Sequence, residues 1–74
     1  MNPQQKFDFL FRGLIWHEIN VAKCGTNSSY HTSAGTISRF NLQRAVAQYK
    51  DWIDDLIQKN PEVRGYAVKR MVSR

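Results

Sequence analysis

His17, Cys24 and His31 are spaced with six residues between each pair. Imidazole nitrogens and a thiolate are the ligand types that hold zinc. A structural zinc site takes four ligands, and the sequence has neither a second cysteine nor a CxxC pair. The expectation is three separate side chains and no metal. His17 and Glu18, with Ser28 and Ser29 downstream, are the residue types of an acid–base site. Adjacent residues point in different directions in a helix or a strand, and neither serine lies in a G-x-S-x-G turn. Asp51, Asp54 and Asp55 supply oxygens of the kind a divalent cation prefers. A solvated helix face accounts for them, and Asp55 precedes Lys59 by four residues, the favourable order for a helical ion pair. The stretch Gly25 to Ser29 has the amides and hydroxyls that cradle phosphate, but not the Gly-Lys-Ser/Thr of a nucleotide loop. No catalytic residue, no cofactor and no enzymatic activity are expected.

Recognition chemistry is better represented. Trp16 and Trp52 are of the type enriched at interface hot spots. In an extended segment Leu10, Leu14 and Trp16 share one side, an apolar row too dense for a bare surface. These residues together with Trp52 are the candidate protein interface. The chain carries 11 Lys and Arg against 6 Asp and Glu, a net charge of +5, with a pI of about 9.8. A basic balance suits nucleic acid or an acidic surface. Beyond Asn60 the positive excess is concentrated, with Glu62 against Arg64, Lys69, Arg70 and Arg74. With Arg39 and Arg44 these are the candidate phosphate contacts of an alternative, nucleic-acid-binding reading.

The elements that must position these residues start from 41–59, NLQRAVAQYKDWIDDLIQK. Leu42, Ala45, Val46, Tyr49, Ile53, Leu56 and Ile57 step by three and four, the spacing of one helical face. Asn41 is the expected N-cap, with Phe40 as a hydrophobic staple, and Asn60-Pro61 the stop. Residues 1–6 are polar and expected to be disordered. Residues 7–22 fit two periods. Phe7, Phe9, Phe11, Ile15, Ile19 and Val21 alternate as a strand, whereas Phe7, Leu10, Phe11, Leu14, Ile15, Ile19 and Ala22 form a helical stripe. The aromatic and β-branched content, with Gly13, favours strand. Residues 23–36 are rich in turn formers, with short strands expected at Tyr30–Thr32 and Thr36–Phe40. Residues 63–72 are ambiguous again, and Gly65 with Tyr66-Ala67-Val68 leads to a C-terminal edge strand.

The expected fold is α+β: a small antiparallel sheet packed by one long helix, 41–59, with a C-terminal edge strand. Helix would then make up about a quarter to a third of the residues. The alternative is three helices, roughly 3–22, 41–59 and 61–72. Seventy-four residues allow a single domain with one core. A chain of this size buries only about 60% of its unfolded surface, so self-association would help it. Cys24 is alone, so no disulfide helps, and a lone thiol suits a reducing compartment. No run is apolar and long enough for a bilayer, and MNPQQKFD lacks the features of a signal peptide. The expected location is the cytoplasm, away from membranes.

Phe11-Arg12-Gly13 near the start, then Phe40, Leu42, Ala45 and Trp52-Ile53-Asp54, make a pattern that resembles small phage or prophage accessory proteins. That resemblance implies a short sheet followed by one helix, and action by binding a host protein or DNA. The functional expectation is a small non-enzymatic interaction protein that binds a protein partner or forms a homodimer.

Overall fold

The computed structural model describes residues 1–73, and Arg74 lies outside the described residues. Helix α1 spans Pro3–Cys24. A two-stranded antiparallel hairpin follows, β1 at Ser29–Thr32 and β2 at Gly35–Ser38. Helix α2 spans Arg39–Lys59, a 3₁₀ turn covers Pro61–Val63, and helix α3 spans Arg64–Val72. In broad terms the fold is α+β, but helices make up about 75% of it and the sheet is one small hairpin.

The strand expected over residues 7–22 is therefore corrected to helix. The start of the chain decides it locally. Asn2 and Gln5 form a reciprocal capping box, with Gln5 N–H donating to Asn2 Oδ1 at 2.8 Å and Asn2 N–H to Gln5 Oε1 at 3.1 Å. Pro3 at the first helical position has its φ already set. The polar residues expected to be disordered are thus the cap and first turn of α1. Burial follows the helical period. Phe7, Leu10, Phe11 and Leu14 are buried, while Phe9, which alternation would have placed beside Phe7 and Phe11, is 56% exposed. At the other end Gly25 closes α1 with φ of 58°, where a side chain would be strained.

The short strands expected at Tyr30–Thr32 and Thr36–Phe40 correspond to β1 and β2, paired Ser29 with Ser38 through Thr32 with Gly35. The second strand ends earlier than expected because Ser38, not Asn41, caps α2. Its side chain accepts from Asn41 N–H at 3.4 Å. Phe40 consequently sits inside the first turn, 65% exposed under the Arg44 guanidinium, and staples nothing. The expected stop holds. Asn60 donates both its backbone N–H and its Nδ2 to the Leu56 carbonyl, at 2.9 and 3.0 Å.

The expected C-terminal edge strand is likewise corrected to the 3₁₀ turn and α3. Val63 and Ala67 are buried and Tyr66 and Met71 pack beside them, again at steps of three and four. The core joins Phe7, Leu10, Phe11 and Leu14 of α1 to Ile53 and Leu56 of α2 and to Val63 and Ala67. Thus α1 and α2 form an antiparallel pair with the β-hairpin at one end, in a molecule about 40 Å long. The α3 helix packs at the other end, tied to α1 where Tyr66 O–H donates to the Asp8 carboxylate at 2.7–2.8 Å.

Candidate partner-binding face

The α1–α2 seam carries an aromatic row. The Trp16 and His17 rings are 4.9 Å apart, His17 and Tyr49 5.0 Å, and Tyr49 and Trp52 5.3 Å. Two features fix it. His17 Nδ1–H donates to the Gly13 carbonyl at 2.6 Å, which orients the imidazole along its own helix. Gly13 has no Cβ to obstruct Tyr49, whose ring lies where that atom would be. The ends of the row reach solvent: Trp16 is 52% and Trp52 48% exposed. Trp52 borders a cleft between the helices lined also by Lys6, Leu10 and Asp55. Trp16 borders a second, between α1 and the β-hairpin, lined also by Ile19, Lys23, Tyr30 and Ile37.

Asn20 links this face to the hairpin. It is buried, its Oδ1 accepts from the Tyr30 hydroxyl, and its Nδ2 donates to the Trp16 carbonyl at 2.7 Å. Such a satisfied polar group beneath an exposed tryptophan holds the backbone of the site against the sheet.

Of the four interface residues drawn from the sequence, the two tryptophans share this face. Leu10 and Leu14 do not act as surface: both are core residues, 8% and 4% exposed. They were grouped with Trp16 by the period of a strand, and the helix rotates Trp16 outward while turning them in. Sequence reasoning missed Phe9 and Ile19, exposed at 56% and 51%. Phe9, Trp16 and Ile19 belong to a second stripe, 9–12–16–19–23, with the same three-four spacing as the buried one. That spacing was legible, but only within the helical reading.

The basic residues are dispersed. Arg39 donates from Nη1 to the Gly25 carbonyl at 2.8 Å, and Arg44 lies over the Phe40 ring at 5.7 Å. Both belong to the first turns of α2. Arg64, Lys69 and Arg70 belong to α3, beyond the far end of α2, whose 21 residues span about 30 Å. Arg70 is turned inward, 3.8 Å from Asp8 and over the Phe11 ring at 5.9 Å. Arg74 lies outside the described residues. The described ones thus fall into two groups, one at the start of α2 and one on α3.

Among the described residues no three His, Cys, Asp or Glu side chains gather, so His17, Cys24 and His31 remain apart. Cys24 is buried, His17 is held in the aromatic row, and His31 bonds Thr36 across the hairpin at 2.9 Å. Asp55 and Lys59 form the expected i,i+4 pair at 3.0 Å, both largely exposed. The Tyr66 hydroxyl is pushed off its ordinary value. Its hydrogen bond to the Asp8 carboxylate raises its pKa, with desolvation and the Asp8 charge acting the same way and Arg70 opposing them. No described helix is long and apolar enough to cross a membrane. Comparison with protein-family models, curated proteins and solved structures finds no match to this chain.

Proposed function

We propose that the protein is a non-enzymatic interaction module that binds a protein surface through the aromatic face of the α1–α2 pair. The observation that carries this reading is the row from Trp16 to Trp52, half-exposed at both ends and braced through His17 and Tyr49. Rigid, partly buried aromatics lose little conformational freedom on docking, which is why such residues dominate binding energy. Phe9 and Ile19 extend the apolar surface to either side of Trp16. The basic side chains support a nucleic-acid role less, since Arg39 and Arg70 are engaged internally and Arg44 lies at the opposite end of α2 from Arg64 and Lys69. The resemblance to phage-type accessory proteins implies the same kind of work, a partner-binding role in the host cytoplasm, where a free thiol such as Cys24 stays reduced.

The test is affinity capture from the native host with wild type, Trp16→Ala and Trp52→Ala, each checked for unchanged circular dichroism. Loss of the captured protein with either variant is expected. Tight nucleic-acid binding, indifferent to both substitutions, would overturn the reading in favour of its rival.

A further inference from the structure

We infer that α3 is a latch: with the 3₁₀ turn before it, it opens and closes as a unit over Phe7 and Phe11 while α1, α2 and the hairpin stay folded.

The helix is marginal by itself. It has nine residues, too few to hold as a helix in water without tertiary support. No side chain caps its start: Val63 stands at that position, and the first turn has no acidic residue to meet the free N–H groups. Gly65 lies in the same turn. A Cβ there would meet nothing within 4 Å, and its φ is not positive. Neither packing nor backbone conformation therefore requires glycine, which makes the helix about fivefold less favourable than alanine would. At Gly13, by contrast, Tyr49 takes the space.

What holds α3 down is narrow. Its buried side chain is Ala67, a single methyl, while Val68 and Val72 are exposed. Apolar stabilisation scales with the area removed from water, so this burial is small beside the Phe, Leu and Ile side chains that join α1 to α2. The Tyr66 ring adds an edge contact to Phe7, with centroids 6.0 Å apart. The polar ties converge on one carboxylate. Tyr66 O–H donates to both Asp8 oxygens, and Arg70 lies 3.8 Å from the same group. Asp8 and Arg70 are both partly exposed, so water takes over when they part and no buried charge is stranded.

The connection allows the motion. Asn60 donates its backbone N–H and its Nδ2 to the Leu56 carbonyl, so α2 is closed by Asn60 and not by α3. The chain leaves the helical region at Asn60, with φ of −134° and ψ of 73°. Rotation there carries the 3₁₀ turn and α3 away and leaves Leu10, Leu14, Ile53 and Leu56 in place between the long helices. It uncovers Phe7 and Phe11, both buried in the closed form, beside Asp8. The fold thus has a closed state and an open state that presents two phenylalanines and a carboxylate, an order–disorder device.

The test is native-state hydrogen exchange of the full chain, residue by residue, by NMR. The amides of 68–72 are expected to share one opening equilibrium, at least tenfold more populated than that of residues 46–57, and with a weaker dependence on denaturant. Asp8→Ala should raise the open population about tenfold, and Gly65→Ala should lower it about fivefold. Ala67→Asp should hold the latch open: residues 64–72 should show the shifts of an unstructured chain while 46–57 keep their protection. Complete unfolding of Ala67→Asp, or amides of 68–72 that open only together with 46–57, would make α3 an integral part of the core and overturn the inference. Rates graded toward Val72 and indifferent to Asp8→Ala and Gly65→Ala would be end fraying, and would overturn it as well.

Discussion

Tyr49 occupies the space that a side chain at Gly13 would need: a Cβ there would lie 2.4 Å from ring atom Cε1 and 2.6 Å from Cζ. The pair sets the spacing of α1 and α2 at mid-length. Beside it the Tyr49 ring is flanked by His17 and Trp52.

The first prediction follows from that contact. In an open helix Gly→Ala would add about 1 kcal/mol of stability. In Gly13→Ala the overpacking against Tyr49, typically about 1–3 kcal/mol, should outweigh the gain. A lower melting temperature and a shifted tryptophan emission are expected, because displacing Tyr49 disturbs Trp52. An unchanged or higher melting temperature would mean that Tyr49 is loosely held, and the rigidity of the row would go with it.

Core and surface of α2 give a second prediction. Leu56 is buried in the core, and Gln48 is exposed. Leu56→Ala should cost about 2–5 kcal/mol, enough to unfold much of so small a protein. Gln48→Ala should change stability by less than about 0.5 kcal/mol. Denaturant titration of the two variants decides it, and equal shifts would contradict the assigned buried face.

The third prediction concerns pH. The Tyr66 pKa is raised above 10.0 by its bond to Asp8, so the folded state holds the phenolic proton more tightly than the unfolded chain does. Its contribution is complete below pH 10.0 and is lost as pH rises through the higher folded value. Wild type should therefore lose melting temperature above pH 10.0 more steeply than Tyr66→Phe, which has no proton to release there. Parallel pH profiles would show that the Asp8–Tyr66 bond does not tie α3 to α1.

How much of this was legible in the sequence depends on the residue. For α2 the apolar stripe from Leu42 to Ile57 has one period, and Asn60-Pro61 has one meaning, so the helix and its stop were readable. Its start was not, because Ser38 and Asn41 are both good caps and only the hairpin register places Ser38 first. For residues 7–22 aromatic composition favoured strand, yet the capping box Asn2–Gln5 and Pro3 favoured helix, and local capping with core packing prevailed. Gly13, counted against a helix, is there because Tyr49 needs its space, which only the tertiary contact reveals. That one misread period also explains the site. It put Leu10 and Leu14 on the surface with Trp16 and hid Phe9, whereas Trp52, on the correctly read helix, is half-exposed beside the apolar stripe. Far-UV circular dichroism should accordingly show a predominantly helical protein, and a helix fraction below about half would restore the sheet-rich reading.

The last prediction separates the two kinds of partner. Each phosphate neutralised by a Lys or Arg steepens the fall of affinity with salt by about one unit of logarithmic slope. The +5 net charge guarantees some attraction to DNA and RNA at low salt. Arg39 is spent on the Gly25 carbonyl and Arg70 on Asp8, and Arg44 lies most of α2's length from Arg64 and Lys69. A phosphate track engaging one cluster would thus miss the other, and the slope should be shallow, about two or three. Binding should be weak at physiological salt, and Lys69→Ala and Arg44→Ala should each remove little of it. Titration of fluorescent DNA and RNA against salt measures the slope directly. A value above about five, with Arg44→Ala and Lys69→Ala each lowering it by about one, would mean that both ends grip one strand. The aromatic face would then lose its claim to be the main binding surface, since so many simultaneous phosphate contacts would have to wrap the full 40 Å length of the molecule.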